Sequence, residues 1–79
     1  MKPYVIIGTS KCLYCDKVKS LLVDRYSDYE YHDLDKSPWL RVMFKMTPMT
    51  TVPQVFSPEG LHVGGYTDLK AHLEAQKYD

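Results

Sequence analysis

The sequence has only two cysteines in 79 residues, too few for a small secreted scaffold of the kind that relies on roughly two to four disulfides. Cysteine usage therefore points to a reducing compartment, and a cytoplasmic location is expected. No run of like charge occurs, and ten basic residues balance ten acidic ones, so neither nucleic acid nor an anionic membrane is implied as a partner. Long hydrophobic runs are missing too: the longest apolar run near the N-terminus covers residues 4–7, far short of a signal-peptide core or a membrane span. Internal repeats and low-complexity segments are also lacking. What is present, 44% hydrophobic and 13% aromatic residues, suits one small domain over residues 1–79 that buries roughly 60% of its unfolded surface.

Along the chain, element types alternate. Residues 2–7 form a largely apolar, β-branched stretch ending at Gly8, the pattern of a central strand buried on both faces. Over residues 13–26, Cys15, Val18, Leu22 and Tyr26 recur at three- and four-residue spacing, which predicts an amphipathic helix. Ser27-Asp28 breaks it, and residues 29–34 read as a second strand, reached by a right-handed parallel crossover. Ser37-Pro38 supplies an N-cap and a first-turn proline for a short helix that Thr47-Pro48 closes. Residues 54–56 and 61–63 flank Ser57-Pro58-Glu59-Gly60, a type I turn pattern, and so predict a hairpin. Leu69, Leu73 and Gln76 mark a last helix, capped by Thr67. The expected order is βαβαββα, an α/β fold.

On that frame the two thiols are not equivalent. Cys12 falls where the first loop turns into a helix, and Cys15 lies one turn in, on the buried stripe. Unpaired amides and the positive end of the helix dipole favour a thiolate at Cys12, and Lys11 adds a full charge beside it. Such surroundings lower a thiol pKa from about 8.5 into the range of roughly 3.5 to 7.5. A zinc site would have to recruit His32, His62 and His72, which lack close pairing and fall on three elements, so no metal is expected and the histidines read as surface or strand-face residues. A purely structural disulfide across so short a loop recovers little chain entropy. Two inert cysteines remain a further alternative. Redox chemistry is favoured, because the pair sits beside a βαβ pattern.

Three motifs then occur in order: Lys11-Cys12-Leu13-Tyr14-Cys15, Thr51-Val52-Pro53-Gln54-Val55-Phe56 and Gly64-Gly65-Tyr66-Thr67-Asp68-Leu69. Singly each is weak, but at these spacings the chain resembles a glutaredoxin, in particular the small bacteriophage type. The resemblance implies a thioredoxin-like fold, a four-stranded mixed sheet with three helices, and a cis peptide bond before Pro53. It implies a dithiol oxidoreductase in which Cys12 attacks a disulfide and Cys15 or glutathione resolves the mixed disulfide. No bound cofactor is implied. Glutathione is the co-substrate, disulfide-containing proteins are the partners, ribonucleotide reductase is one acceptor, and the protein is expected to be monomeric.

The same resemblance assigns Val52 and Pro53 to substrate binding, since a cis bond between them leaves the Val52 backbone free to pair with an extended substrate. It assigns Gly65, Tyr66, Thr67 and Asp68 to the γ-glutamyl end of glutathione: amides and the Thr67 hydroxyl take the carboxylate, and Asp68 takes the ammonium. Tyr14 and Tyr66 are read either as ligand-shielding aromatics or as plain packing. Leu13 departs from the proline of many dithiol glutaredoxins, which bears on redox potential rather than mechanism. The C-G-F-S form of iron–sulfur carriers is also lacking. Two other classes remain open, a thioredoxin-like electron donor recycled by a reductase and a redox-insensitive adaptor that binds through Trp39, Met43, Phe44, Met46 and Met49. For those five residues core packing is the favoured expectation.

Overall fold

The computed structural model describes residues 2–76. Its elements are β1 (Tyr4–Gly8), α1 (Leu13–Asp24), β2 (Tyr29–Asp33), a short 3-10 turn (Leu34–Lys36), α2 (Pro38–Lys45), β3 (Gln54–Phe56), β4 (His62–Gly64) and α3 (Tyr66–Ala75). The expected order holds, with the 3-10 turn added. The sheet runs β2-β1-β3-β4, with β1 parallel to β2 and antiparallel to β3, and β4 antiparallel to β3. Ile6 is central, paired with Tyr31 on one side and Val55 on the other.

The core lies on one face of the sheet. Tyr4, Ile6 and Val55 meet Val18 and Leu22 of α1 and Leu69 and Leu73 of α3 in one apolar cluster. Each such side chain contributes roughly 1.5–3 kcal/mol on full burial. The opposite face is less covered: Val5 and Ile7 are only half-buried, so β1 alternates instead of being buried on both faces as its composition suggested. The reason is α2, which has eight residues and buries none of them. Leu40 and Phe44 are half-buried, but Trp39, Val42, Met43 and Met46 are exposed. Core packing is therefore corrected for Trp39, Met43 and Met46, because α1 and α3 already fill the core cluster.

Helix ends also differ from the periodic pattern. The α1 stripe holds at Cys15, Val18 and Leu22 but not at Tyr26, which is 95% exposed. Tyr26 has a left-handed φ of 56°, its amide donates to the Val23 carbonyl and the Ser27 amide donates to the Leu22 carbonyl. This is a Schellman stop, with tyrosine where glycine is usual. The Arg25 guanidinium ties this end to the Leu73 carbonyl of α3, at 3.1 Å. Strand β2 ends at Asp33, one residue earlier than expected, because Asp33 caps the following 3-10 turn through the Asp35 amide. In the hairpin, Gly60 donates to the Ser57 carbonyl and Ser57 to the Leu61 carbonyl, both at 2.8 Å, as the turn pattern requires.

Candidate active site: a dithiol at a helix N-terminus

Cys12 is the N-cap of α1, with extended φ/ψ of −142° and 107°, and its sulfur accepts a hydrogen bond from the Cys15 amide at 3.1 Å. A serine or aspartate usually holds this position, so the cysteine sulfur occupies a ready anion site. The two cysteines are joined as a disulfide with Cα atoms 5.1 Å apart, within the normal span. Cys15 is 1% exposed and belongs to the buried stripe, whereas Cys12 is partly exposed. Only Cys12 is open to an external partner.

Glycine at the end of β1 makes room for this pair. A Cβ on Gly8 would lie 2.6 Å from the Cys15 sulfur and would also collide with the Tyr31 hydroxyl. That hydroxyl donates to the Thr9 carbonyl at 2.6 Å. Burial, followed by the nearby Asp33, Asp16 and Asp35 carboxylates, pushes the Tyr31 phenol up, so it remains a donor at neutral pH. The next residue, Ser10, is tied to Asp33 and Asp35. The sequence reading missed Gly8, Ser10, Asp33 and Asp35, since their partners are brought in by β2.

A groove of about 300 Å³ is lined by Tyr14, Thr51, Val52, Pro53, Gly65, Tyr66, Thr67 and Asp68. All seven residues expected to bind substrate are thus together, and Thr51 is added from the same Thr51-Val52-Pro53 motif. The Val52–Pro53 bond is cis. Val52 precedes the first paired residue of β3, Gln54. At the other wall the N-cap of α3 is Gly65, which corrects the expectation for Thr67. The Asp68 carboxylate accepts from the Gly65 amide at 3.3 Å, so the acid three residues in closes the cap in place of a hydroxyl. Gly64 has φ +119°, and a Cβ there would strike this same carboxylate, so the position demands glycine twice over.

Tyr14 and Tyr66 meet across the groove with ring centroids 5.7 Å apart and planes tilted by 50°. Lys17 lies over both, its Nζ 4.9 Å from the Tyr14 centroid and 5.8 Å from that of Tyr66. Sequence reasoning missed Lys17, although an i, i+3 spacing from Tyr14 on a helix put the pair within reach. Lys11 is exposed beside Cys12. The three histidines do not converge. His32 faces Glu30 at 3.3 Å, His62 bonds Gln54 at 2.7 Å, and His72 meets the Tyr4 ring in a T-shaped arrangement.

A mixed four-stranded sheet, three helices, a C-x-x-C pair opening α1 and a cis-proline leading into β3 define a thioredoxin-like protein, a class whose shared site chemistry is thiol–disulfide exchange. Comparison with known proteins narrows the class. The glutaredoxin family profile matches residues 4–63. Glutaredoxin from Pseudomonas aeruginosa is 40% identical over 80 residues, covering 100% of this chain and 94% of its own. Glutaredoxin from Enterobacteria phage T4 is 31% identical over 75 residues, covering 81% and 86% respectively. Among solved structures, a buckwheat glutaredoxin–glutathione complex superposes with a TM-score of 0.75 at 28% identity, over 92% of this chain and 70% of that one. The chain belongs to the glutaredoxin family, and its Cys12–Cys15 pair is that of a thiol–disulfide oxidoreductase.

Proposed function

We propose that the protein is a glutathione-dependent oxidoreductase that reduces protein disulfides and glutathione mixed disulfides. The observation that carries this reading is the groove, which Tyr14, Val52, Pro53, Gly65, Tyr66, Thr67 and Asp68 line together and which Tyr14, between Cys12 and Cys15 in the chain, joins to the dithiol. The buckwheat relative was solved as a glutathione complex, which supports the same ligand here. The first-turn amides of α3 and the Thr67 hydroxyl take the γ-glutamyl carboxylate. Asp68 is exposed, with one oxygen on the Gly65 amide and the other available to the ligand's ammonium. The Val52 backbone pairs with the extended backbone of the bound thiol compound. Residues 1–79 act as one monomeric domain in the cytoplasm, with ribonucleotide reductase among the acceptors; Met1 and residues 77–79 lie outside the described residues.

The exchange runs in two displacements. The Cys12 thiolate attacks one sulfur of the substrate disulfide, the substrate S–S bond breaks, and the leaving thiolate takes a proton from solvent. The Cys15 sulfur, once deprotonated, attacks Cys12 and releases the second substrate thiol, leaving the Cys12–Cys15 disulfide. Two glutathione molecules then reduce that disulfide and leave as glutathione disulfide. With glutathione mixed disulfides as substrate, a single external glutathione can resolve the Cys12 intermediate without Cys15.

Steady-state turnover with glutathione, compared with turnover using a thioredoxin reductase, tests the reading. Glutathione should sustain turnover, Cys12→Ser should abolish it, and Cys15→Ser should keep much of the activity on glutathione mixed disulfides. Turnover with the reductase alone would replace this function by a thioredoxin-like electron donor. If Cys15→Ser is inactive while Cys12→Ser retains activity, the division of labour is reversed.

A further inference from the structure

The loop that carries the attacking cysteine is not part of the sheet. Strand β1 ends at Gly8 and α1 begins at Leu13, so residues 9–12 must be placed by something else. Besides the two bonds that Cys12 accepts from the first turn of α1, the structure supplies three from β2 and the turn after it. The Tyr31 hydroxyl donates to the Thr9 carbonyl at 2.6 Å. The Ser10 hydroxyl donates to Asp33 Oδ2 at 2.6 Å, and the Ser10 amide donates to Asp35 Oδ2 at 3.1 Å. Asp35 is itself held, because its amide donates to Asp33 Oδ1 at 2.8 Å. Ser10 is thus gripped through both its side chain and its backbone, two residues before Cys12.

We infer that Ser10, clamped by Asp33 and Asp35, is a positioning residue for the Cys12 thiolate. The inference rests on the oxidoreductase reading of Cys12. Its physical basis is the N-cap: Cys12 keeps its sulfur on the Cys15 amide only while its own backbone stays extended. With Ser10, two residues upstream, tied down at two points, the backbone that leads into Cys12 has little freedom to drift. A short O–H to carboxylate bond is the strong, charge-assisted kind, which suits a clamp at the surface. The Ser10 hydroxyl is the chief cause that draws the Asp33 carboxyl below the ordinary aspartate value; burial opposes it, and the Asp35 amide, Lys36 and Lys19 add smaller effects in the same direction as Ser10. The clamp is therefore made by a carboxylate at neutral pH.

The test reads the thiol itself, without glutathione. Reduced wild-type protein and the Ser10→Ala, Ser10→Thr, Asp33→Ala and Ser10→Ala/Asp33→Ala variants are alkylated with iodoacetamide across pH, and thermal melting is followed in parallel. Ser10→Ala changes no charge, so its effect is one of position. It should raise the Cys12 thiol pKa and slow alkylation at neutral pH roughly tenfold, because the thiolate is the reacting species. Ser10→Thr keeps the hydroxyl and should restore both. The double variant should alkylate no more slowly than Ser10→Ala, because the two residues act through one bond. Glu30→Gln removes a carboxylate from the same strand without touching the loop and should leave the thiol as it was. A wild-type low-pKa thiol that is unchanged in a folded Ser10→Ala protein would overturn the clamp and leave the proposed function standing. Slowed alkylation that threonine fails to rescue, or that only follows a drop in melting temperature, would also overturn it. Absence of any low-pKa thiol in the wild type would sink both.

Discussion

Replacing Gly8 with alanine puts the link between sheet and dithiol under direct strain. The added methyl would stand 2.6 Å from the Cys15 sulfur, where nonbonded atoms prefer about 3.5–4.0 Å, so roughly 1 Å of movement is needed. Tyr31 can swing away, but only by giving up its bond to the Thr9 carbonyl, a loss of about 1 kcal/mol. Cys15 has no such escape, since it is 1% exposed and fixed on the buried stripe of α1. Overpacking of this kind costs about 1–3 kcal/mol. The sum is a destabilisation of about 2–4 kcal/mol, or roughly 8–30 °C in Tm for a domain of this size. Urea unfolding followed by circular dichroism should show a lower midpoint at unchanged slope. The same substitution in a Tyr31→Phe background separates the two obstacles, because the loss that remains there belongs to Cys15. A Gly8→Ala protein within about 0.5 kcal/mol of wild type would refute the reasoning, as it would show that α1 shifts without penalty.

Asp68 has two duties, so its variants should split them. Asp68→Asn should retain the bond to the Gly65 amide and the stability while weakening glutathione, whereas Asp68→Lys should lose about 1 kcal/mol of capping and raise KM for glutathione roughly ten- to hundred-fold. Unchanged glutathione kinetics in a folded Asp68→Lys protein would reduce the residue to a helix cap. Tyr26→Gly should stabilise the protein by about 1 kcal/mol, since glycine carries no penalty at φ 56°, and a melting temperature that falls would show that the tyrosine ring contributes something its exposure hides. Acidification should release the Ser10 loop late. Asp33 has a lowered folded pKa, so its stabilising contribution is fully present above the ordinary aspartate value and is lost as pH falls through the depressed one. Carboxyl-carbon NMR should place the Asp33 midpoint below that of an unperturbed aspartate, and in Ser10→Ala the midpoint should move up; no movement would mean the hydroxyl is not its chief partner.

Local information carried far in this chain, and for a physical reason. The order of elements, the N-cap site of Cys12, the place of Cys15 on the α1 stripe and the turn at Ser57-Pro58-Glu59-Gly60 depend on neighbours within about four residues, which is the reach of helix and turn hydrogen bonding. Resemblance in the three motifs named the groove residues before any geometry was known. What failed were features that depend on which surface lies opposite. The periodic stripe through Tyr26 is cut by a stop that Arg25 anchors to α3, and Thr67 yields its cap to Gly65 because Asp68 reaches back to that amide. The apolar side chains of α2 suggested a core, yet the core was already filled by two longer helices on the other face of the sheet. Gly8 reads in sequence only as the end of a strand, and Ser10, Asp33 and Asp35 only as loop polars. Parallel pairing of β1 with β2 brings residues 23 and 25 positions apart into hydrogen-bond contact, and that pairing decides where the reactive loop is held.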